Sequence, residues 1–366
     1  MRISSLLFVV STDISISTTI KERIEQAGNG SILREKEFNS LALKLFQYQY
    51  RENSAYKNFC DAHGQTPDLV NHWHHVPALP TDAFKAEAYP LTTFPPKDAE
   101  KTFLTSGTTT ESRGRHHFRC TELYERSIIS TWRELSLPEV CSSLFLIPSP
   151  RQAPQSSLSH MMGVVSNQLA SQSKWLITES GSIDFDSLTN SIKEKQAVVL
   201  IGTALSFLHL FDSMNSPIIL PKGSWAMETG GYKGTHHQLS KSELHQLFNT
   251  NLGLHSDSII NEYSMTELSS QFYSRGLNCA HKGPSWTRIR VIDPITNTDA
   301  KPGELGHLVI YDLANVDSVM AIRTQDLAMQ SQTRLEHENP SFKLIGRDPS
   351  ALPRGCSRSS DESLSS

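Results

Sequence analysis

The strongest constraint on the fold is a helix, an apolar strand and a glycine turn that follow directly on one another. Residues 184–196 are predicted to form an amphipathic helix, residues 197–201 a buried strand, and Gly202-Thr203 a turn into a further helix. This order is typical of a parallel sheet covered by helices. The stretch from Trp225 to Gly231 again ends an apolar segment in glycines. Because ligands bind beyond the carboxyl ends of such strands, the sequence predicts an α/β fold with a site at this edge.

The same patterns extend the prediction over most of the chain. The spacing of apolar side chains predicts helices over residues 35–64 and 122–135 and a short buried strand over residues 143–147. Beyond Trp286, residues 288–292 and 304–311 are predicted as antiparallel strands. We therefore expect an α/β core in residues 1–285, an antiparallel β subdomain of the same domain in residues 286–345, and a hinge remnant with a flexible tail in residues 346–366.

Composition excludes several classes of protein. The 366 residues carry a formal net charge of −4 with Lys and Arg spread along the chain, so neither nucleic acid nor an anionic membrane surface is expected as a partner. The apolar run at residues 6–10 is shorter than the core of a signal peptide, and no run approaches the roughly 18 residues of a membrane span. Five cysteines without a Cys-x-x-Cys pair predict a cytoplasmic protein with reduced thiols.

One segment is rich in groups that bind phosphate. Residues 105–115 contain Ser and Thr hydroxyls, two glycines and the guanidinium groups of Arg113 and Arg115. Hydroxyls, planar cations and the backbone N–H groups that glycine leaves accessible all suit phosphate oxygens. Taken alone, such a segment is more often an exposed turn. It is not a Walker A loop, because no Gly-Lys-Ser/Thr follows.

Two later segments carry groups that suit a nucleotide. Tyr263, Thr266 and Glu267 bring a ring, a hydroxyl and a carboxylate into one short stretch, which can supply a stacking surface, a phosphate contact and a metal ligand. Taken alone, this stretch fits the start of a helix capped by Thr266 better. Asp326 follows Arg323 closely, and its carboxylate suits a ribose diol, although by itself it fits a turn.

In this order, the segments resemble those of the adenylate-forming (AMP-forming ligase) superfamily. That superfamily carries a Ser/Thr/Gly phosphate loop, a glycine-ended strand, a Tyr-Gly-x-Thr-Glu segment, a Thr-Gly-Asp segment and a Gly-Arg hinge. The matching segments here are Thr105 to Gly114, Glu228 to Gly231, Tyr263 to Glu267, Arg323 to Asp326, and Gly346-Arg347. The chain departs from the pattern where Thr110, Ser264 and Gln325 replace glycine.

The acyl-protein synthetase (LuxE) branch of bacterial bioluminescence and its relatives is a closer match. The segments that resemble this branch are residues 46–60, Leu79 to Lys85, Gly230 to Lys233, Asp293-Pro294 and Arg354 to Ser357. The resemblance implies the large α/β domain of adenylate-forming enzymes, with helix-covered mixed or parallel sheets and an appended antiparallel β subdomain. It also implies that the full mobile C-terminal domain is lacking.

This resemblance implies an AMP-forming ligase that uses ATP and Mg²⁺. A fatty acid, expected to be long-chain, becomes an acyl-adenylate, and a protein cysteine then takes the acyl group and releases AMP. Tyr263 is expected to stack on adenine, Asp326 to bind the ribose hydroxyls and Thr266 to contact the α-phosphate. Glu267 is the expected Mg²⁺ ligand. The full implied sets are Ser106, Gly107, Thr108, Thr109, Arg113, Gly230, Gly231, Tyr263, Asp326 and Arg347 for the nucleotide, and Cys356, Thr266 and Glu267 for catalysis.

Three hypotheses about the function stay open. In the first, Cys356 is acylated and delivers the acyl group to an acyl reductase partner; its arginine neighbours Arg354 and Arg358 favour the thiolate. In the second, a small-molecule thiol or amine is the acceptor. In the third, the chain is an inactive adenylate-binding module, because Thr110 replaces a glycine and the C-terminal-domain lysine has no counterpart. Candidates for the replacing cation are Lys222, Lys233, Arg323 and Arg347.

Overall fold

A computed structural model of the chain describes residues 16–105, 113–140, 142–230, 239–330 and 340–348. Their helices are α1 (residues 16–28), α2 (Glu35–Glu52), α3 (Ser54–Ala62), α4 (Glu122–Glu134), α5 (Ser157–Gln168), α6 (Phe185–Lys193), α7 (Ala204–Ser213) and α8 (Lys241–Leu252). Their strands are β1 (Leu79–Pro80), β2 (Lys101–Leu104), β3 (Arg115–Phe118), β4 (Ser142–Leu146), β5 (Gln172–Trp175), β6 (Val198–Thr203), β7 (Trp225–Thr229), β8 (Ile259–Tyr263), β9 (Phe272–Arg275), β10 (His281–Lys282), β11 (Thr287–Ile292), β12 (Leu305–Asp312), β13 (Ala321–Gln330) and β14 (Ser341–Arg347).

One mixed sheet forms the centre of the described structure. Its order is β11-β12-β13-β14-β10-β9-β8-β7-β6-β4-β5, with β1 paired to β13. The strands from β5 to β8 run parallel, as the alternating helices and apolar strands predicted. From β8 onward the neighbours on the path are antiparallel. Strands β2 and β3 form a separate antiparallel hairpin.

Helices cover both faces of the parallel strands. Helices α4 and α5 pack on the face that carries Ile201, Met227 and Ile260, which we call the α4–α5 face. Helices α6, α7 and α8 pack on the opposite face. A third apolar cluster joins α1, α2 and α3 to the antiparallel strands. The buried core therefore continues from the parallel into the antiparallel part.

The predicted turn at Gly202-Thr203 is wrong, because both residues belong to β6. The glycine is needed for close packing, since a Cβ at Gly202 would lie 2.7 Å from Ser206 Oγ and 2.9 Å from Leu146 Cβ. Thr203 ends the strand and caps α7, because its hydroxyl accepts a hydrogen bond from Ser206 N at 2.9 Å. The change from strand to helix thus needs no intervening turn.

One other local expectation also differs from the structure. No helix begins at Thr266, where the described chain turns after β8. Helix α5 begins after Ser156, whose side chain caps it, and His160 lies within that helix. The residues around His160 have neither the strict spacing nor the polar face that would have indicated a helix.

The predicted boundaries after residues 285 and 345 stay a prediction, although the sheet continues across both of them. Strands β10 and β14 pair, so hydrogen bonding continues across residue 285. Strand β14 passes through residues 345 and 346, where the antiparallel part was expected to end. Among the described residues, no helix is both long and apolar enough to cross a membrane.

Candidate active site

The structure describes about half of the residues predicted to form the site. Outside the described residues lie Ser106, Gly107, Thr108, Thr109, Gly231 and Cys356. Within them lie Arg113, Gly230, Tyr263, Thr266, Glu267, Asp326 and Arg347. These seven lie beside the β2–β3 hairpin, at or after the carboxyl ends of β7 and β8, and on the neighbouring strands β13 and β14.

The β2–β3 hairpin holds both ends of the hydroxyl-rich segment together at its loop end, which we call the hairpin base. Thr105 N donates to Gly114 O at 2.9 Å, and Gly114 N donates to the Thr105 hydroxyl at 2.8 Å. Arg113 Nε donates to Thr105 O at 2.7 Å. A Cβ at Gly114 would lie 2.8 Å from Thr105 Cγ2, so only glycine fits this crossing. The predicted cation Arg113 is therefore fixed at the mouth of the segment.

Thr266 lies between this hairpin and the start of α5. Its carbonyl accepts a hydrogen bond from His116 Nδ1 of β3 at 2.8 Å, and its hydroxyl lies 3.3 Å from Ser157 Oγ. Burial lowers the pKa of His116 to about 4, so the ring is neutral near pH 7. Since a carbonyl oxygen only accepts, the neutral ring carries its proton on Nδ1.

The turn that follows Thr266 is held by side chains from the end of β12 and from the chain directly after it. Asn315 Nδ2 donates to Glu267 O at 2.8 Å, and the Ser269 hydroxyl donates to Asn315 Oδ1 at 2.5 Å. Asp312 accepts from Ser269 N at 3.0 Å and from the Ser270 hydroxyl at 2.8 Å. Burial raises the pKa of Asp312 to about 6. These buried contacts position the backbone of Glu267.

Tyr263 and Asp326 are joined directly. The Tyr263 hydroxyl donates to Asp326 Oδ2 at 2.8 Å, and the ring makes edge contacts with Phe272 and Phe342. In the sheet register, Asp326 of β13 lies opposite Arg347 of β14. Two predicted nucleotide-binding residues that are 63 positions apart in sequence therefore meet.

The carboxyl ends of β7 and β8 lie beside this pair. Gly230 follows β7 with a φ of +68°, a conformation that glycine adopts without strain. Thr229 lies opposite Glu262 in the register, and its hydroxyl donates to a Glu262 carboxylate oxygen. Gly230 therefore lies at the sheet edge where ligands of open α/β sheets bind.

Sequence reasoning missed Asp82 and Lys85. Lys85 Nζ lies 3.1 Å from Asp82 Oδ1, and Asp82 Oδ2 accepts from Gln325 Nε2 at 2.7 Å. Gln325 Oε1 in turn accepts from Arg347 Nη2 at 2.6 Å. Asp82, Phe84 and Lys85 belong to a short 3-10 helix, Thr81–Lys85. This helix contacts the hairpin, because the Phe84 ring packs edge-on against His116. The signal in the sequence is the segment Leu79 to Lys85, which resembles the LuxE branch and contains this lysine.

The structure separates the candidates for the missing cation. Lys222 precedes β7 and therefore lies at its amino end, away from Gly230. Arg323 Nη1 donates to Asn297 Oδ1 at 2.7 Å, on the side of the turn after β11. Lys233 lies outside the described residues. Arg347 is the described candidate that contacts the site, and Lys85 joins it there.

Side-chain contacts and the short chain segments between them close a ring, which we call the ring of contacts. Contacts join Tyr263 to Asp326, Thr266 to His116, His116 to Phe84, and Asp82 to Gln325. The chain itself connects Tyr263 to Thr266, Phe84 to Asp82, and Gln325 to Asp326. Hydroxyls, a carboxylate, an aromatic ring and cations along this ring match the parts of a nucleotide. Among the described residues, no group of three His, Cys, Asp or Glu side chains is placed to hold a metal ion.

Comparisons with known proteins agree with this architecture. The family model described as "Acyl-protein synthetase, LuxE" matches residues 29–365. The long-chain-fatty-acid–luciferin-component ligase of Vibrio harveyi is 23% identical over 360 residues, which is 91% of this chain and 90% of that protein. A 2-hydroxyisobutyryl-CoA ligase in an open conformation has a TM-score of 0.61 at 13% identity, covering 88% of this chain and 72% of its own. The same ligase in a postadenylation state gives 0.62, with 88% and 70% covered. The predicted fold class is confirmed.

Proposed function

Because the chain belongs to the LuxE acyl-protein synthetase family and is therefore a ligase, we propose that it activates a fatty acid with ATP and transfers the acyl group to a cysteine. An oxygen of the acid's carboxylate attacks the α-phosphorus of ATP, and pyrophosphate leaves. The Cys356 thiolate then attacks the acyl carbonyl carbon, the bond from that carbon to the phosphate oxygen breaks, and AMP leaves. The observation that carries the proposal is the Tyr263–Asp326 contact beside Thr266 and the hairpin base.

The proposed binding of the nucleotide follows the ring of contacts. Asp326 accepts hydrogen bonds from the ribose hydroxyls, and Tyr263, which fixes that carboxylate, offers its ring to adenine. Thr266 contacts the α-phosphate. The triphosphate lies against the residues that continue from the hairpin base, with Arg113 at the mouth. The residues of this segment in the proposal are Ser106, Gly107, Thr108 and Thr109, and Gly230 and Gly231 line the adenine side.

Charge on the reacting phosphates needs cations. We assign this role to Arg347 and Lys85, because both belong to the chain of contacts through Gln325 and Asp82 that ends beside Asp326. Glu267 fits as a Mg²⁺ ligand, since this ion is commonly held by one or two carboxylates together with substrate phosphates. Bound there, Mg²⁺ supplies further neutralisation of phosphate charge.

The acceptor is proposed to be Cys356, from which the acyl group passes to an acyl reductase. A cytoplasmic location belongs to the same proposal, because the described cysteines Cys60, Cys120 and Cys279 are free thiols. Cys120 and Cys279 are exposed and therefore serve as matched controls for the acceptor.

Intact-mass measurement of the purified chain tests the proposal. The chain is incubated with ATP, Mg²⁺ and a mixture of fatty acids, beside the Cys356→Ala and Cys279→Ala variants. We expect a gain of one acyl group that hydroxylamine removes, absent in Cys356→Ala and retained in Cys279→Ala. AMP release without a mass gain in any chain would assign the acyl group to a small-molecule acceptor. No AMP from any acid would contradict the ligase chemistry proposed here.

A further inference from the structure

Glu262 and Tyr273 are neighbours on adjacent strands of the central sheet. They lie directly opposite each other in the antiparallel register of β8 and β9. Paired residues of this kind project from the same face, with Cβ atoms about 4.5–5.5 Å apart. Ile260 precedes Glu262 by two positions, so both side chains project from the α4–α5 face.

Both side chains are buried, and each has an unsatisfied polar atom. Glu262 is 1% exposed and Tyr273 4%. One oxygen of Glu262 accepts from the Thr229 hydroxyl, but in the described part of the chain Glu262 Oε1 and Tyr273 Oη have no hydrogen-bond partner. Buried polar atoms are satisfied in the great majority of cases, so two adjacent exceptions indicate a missing group.

The surroundings of the pair are apolar. Tyr273 belongs to the cluster that includes Trp132 of α4 and Met161 of α5, and its ring centroid lies 6.1 Å from that of Trp132. Burial is the main cause that raises the pKa of Glu262 to about 7 and the pKa of Tyr273 well above its usual value. Apolar walls with a small number of polar atoms are typical of a site for a largely apolar ligand.

The position of the pair connects it to the proposed acyl-adenylate. Glu262 directly precedes Tyr263, and its hydrogen-bond donor Thr229 directly precedes Gly230. The α4–α5 face also reaches Thr266, whose hydroxyl lies 3.3 Å from Ser157 Oγ at the start of α5. The pair therefore lies on the same face of the sheet that the Thr266 hydroxyl, the proposed contact of the α-phosphate, also borders.

We propose that Glu262 and Tyr273 bind a hydroxyl group on the chain of the acid, so that the preferred substrate is a hydroxylated acid. A hydroxyl both donates and accepts, so it can donate to Glu262 Oε1 and accept from Tyr273 Oη. A plain alkyl chain satisfies neither atom, and an ammonium group, which can only donate, would leave the tyrosine O–H proton without an acceptor. This inference rests on the proposed function and specifies its substrate class.

The test compares a saturated acid with its hydroxylated analogues of equal length, one hydroxyl at each successive carbon. AMP formation is measured in the full-length chain and in Tyr273→Phe and Glu262→Gln. We expect the best hydroxylated acid to exceed the saturated acid in kcat/KM by at least about tenfold, because a site built for a hydroxyl discriminates against analogues that lack it. This ratio should fall to near one in Tyr273→Phe, with turnover of the saturated acid retained.

Tyr56→Phe is the matched control, since it removes a buried tyrosine hydroxyl from a different apolar cluster. It should leave the ratio unchanged. Equal turnover of both acids by the unaltered chain, or a preference that survives in both pair variants, would overturn the inference and assign the two atoms to a buried water.

Direct binding separates this outcome from failure of the proposed function. The same acids are titrated calorimetrically into the unaltered chain and Tyr273→Phe. Selective binding of a hydroxylated acid that is lost in Tyr273→Phe supports the proposed hydroxyl site at Glu262 and Tyr273, even if no acid yields AMP and the ligase chemistry is wrong. Absence of that selectivity overturns the proposed hydroxyl site whether or not AMP forms. Thermal unfolding of each variant confirms that it is folded.

Discussion

The Tyr263 hydroxyl donates a hydrogen bond to Asp326 Oδ2 at 2.8 Å and so links the last parallel strand to the antiparallel part of the sheet. Neither residue needs the other to keep its strand, because each already lies within a paired strand. The contact instead fixes where the carboxylate points. An oriented carboxylate beside an aromatic ring is what a ribose and an adenine require.

Loss of the tyrosine hydroxyl should therefore weaken nucleotide binding rather than the fold. In Tyr263→Phe the ring remains while Asp326 loses a donor, and hydrogen bonds to charged groups contribute about 1.5–3 kcal/mol. We expect the KM for ATP to rise by about tenfold or more, with kcat and the KM for the acid changed much less. Pyrophosphate release at varied ATP measures this. An unchanged KM for ATP would place the ribose elsewhere.

The cations of the ring should act on the chemical step. Removing one charge that stabilises developing phosphate charge costs on the order of a hundredfold in kcat. Lys85→Met and Arg347→Met should each lose activity on this scale. Lys222→Met and Arg323→Met are matched controls, because the first lies at the amino end of β7 and the second contacts Asn297. Equal losses of activity in all four variants would contradict the assignment of Lys85 and Arg347 as the cations that stabilise the phosphate charge.

The sequence predicts candidate nucleotide-binding segments because each is a local pattern of a few residues. It did not predict their supports, whose partners are distant in the chain. Asn315 holds Glu267 from 48 positions away, and Gln325 reaches Asp82 over 243. No local periodicity of the sequence predicts contacts between residues so far apart. The predicted turn at Gly202 is wrong for a related reason, since a glycine that makes room for Leu146 and a glycine in a turn look the same in the sequence.

Acid should destabilise the fold partly through His116. Burial lowers its pKa to about 4 in the folded chain, against about 6.5 when unfolded. As the pH falls below about 6.5 the unfolded chain takes up a proton that the folded chain refuses until about pH 4. The free energy of unfolding should then fall by about 1.4 kcal/mol per pH unit across this range from His116 alone.

The His116→Asn variant isolates this contribution, because an amide can still donate to the Thr266 carbonyl without titrating. Urea unfolding from pH 7 to pH 4 should show a shallower loss of stability in the variant than in the unaltered chain. The raised pKa of Asp312 works in the opposite direction, since its folded form binds the proton more tightly. It is present in both chains and cancels in the difference. Parallel curves would mean that His116 does not contribute.

The crossing of Thr105 and Gly114 should control access of phosphate to the hairpin. In Gly114→Ala the new Cβ would lie 2.8 Å from Thr105 Cγ2, so the hairpin base must open and Arg113 must move. We expect ATP affinity to fall by about tenfold or more, at an overpacking cost of about 1–3 kcal/mol in stability. Thr105→Ser in the same chain removes the clashing methyl group but keeps the hydroxyl that accepts from Gly114 N. The double variant should recover most of the affinity, as measured by nucleotide titration. If the second substitution restores nothing, the geometry of this crossing does not position the phosphate-binding segment.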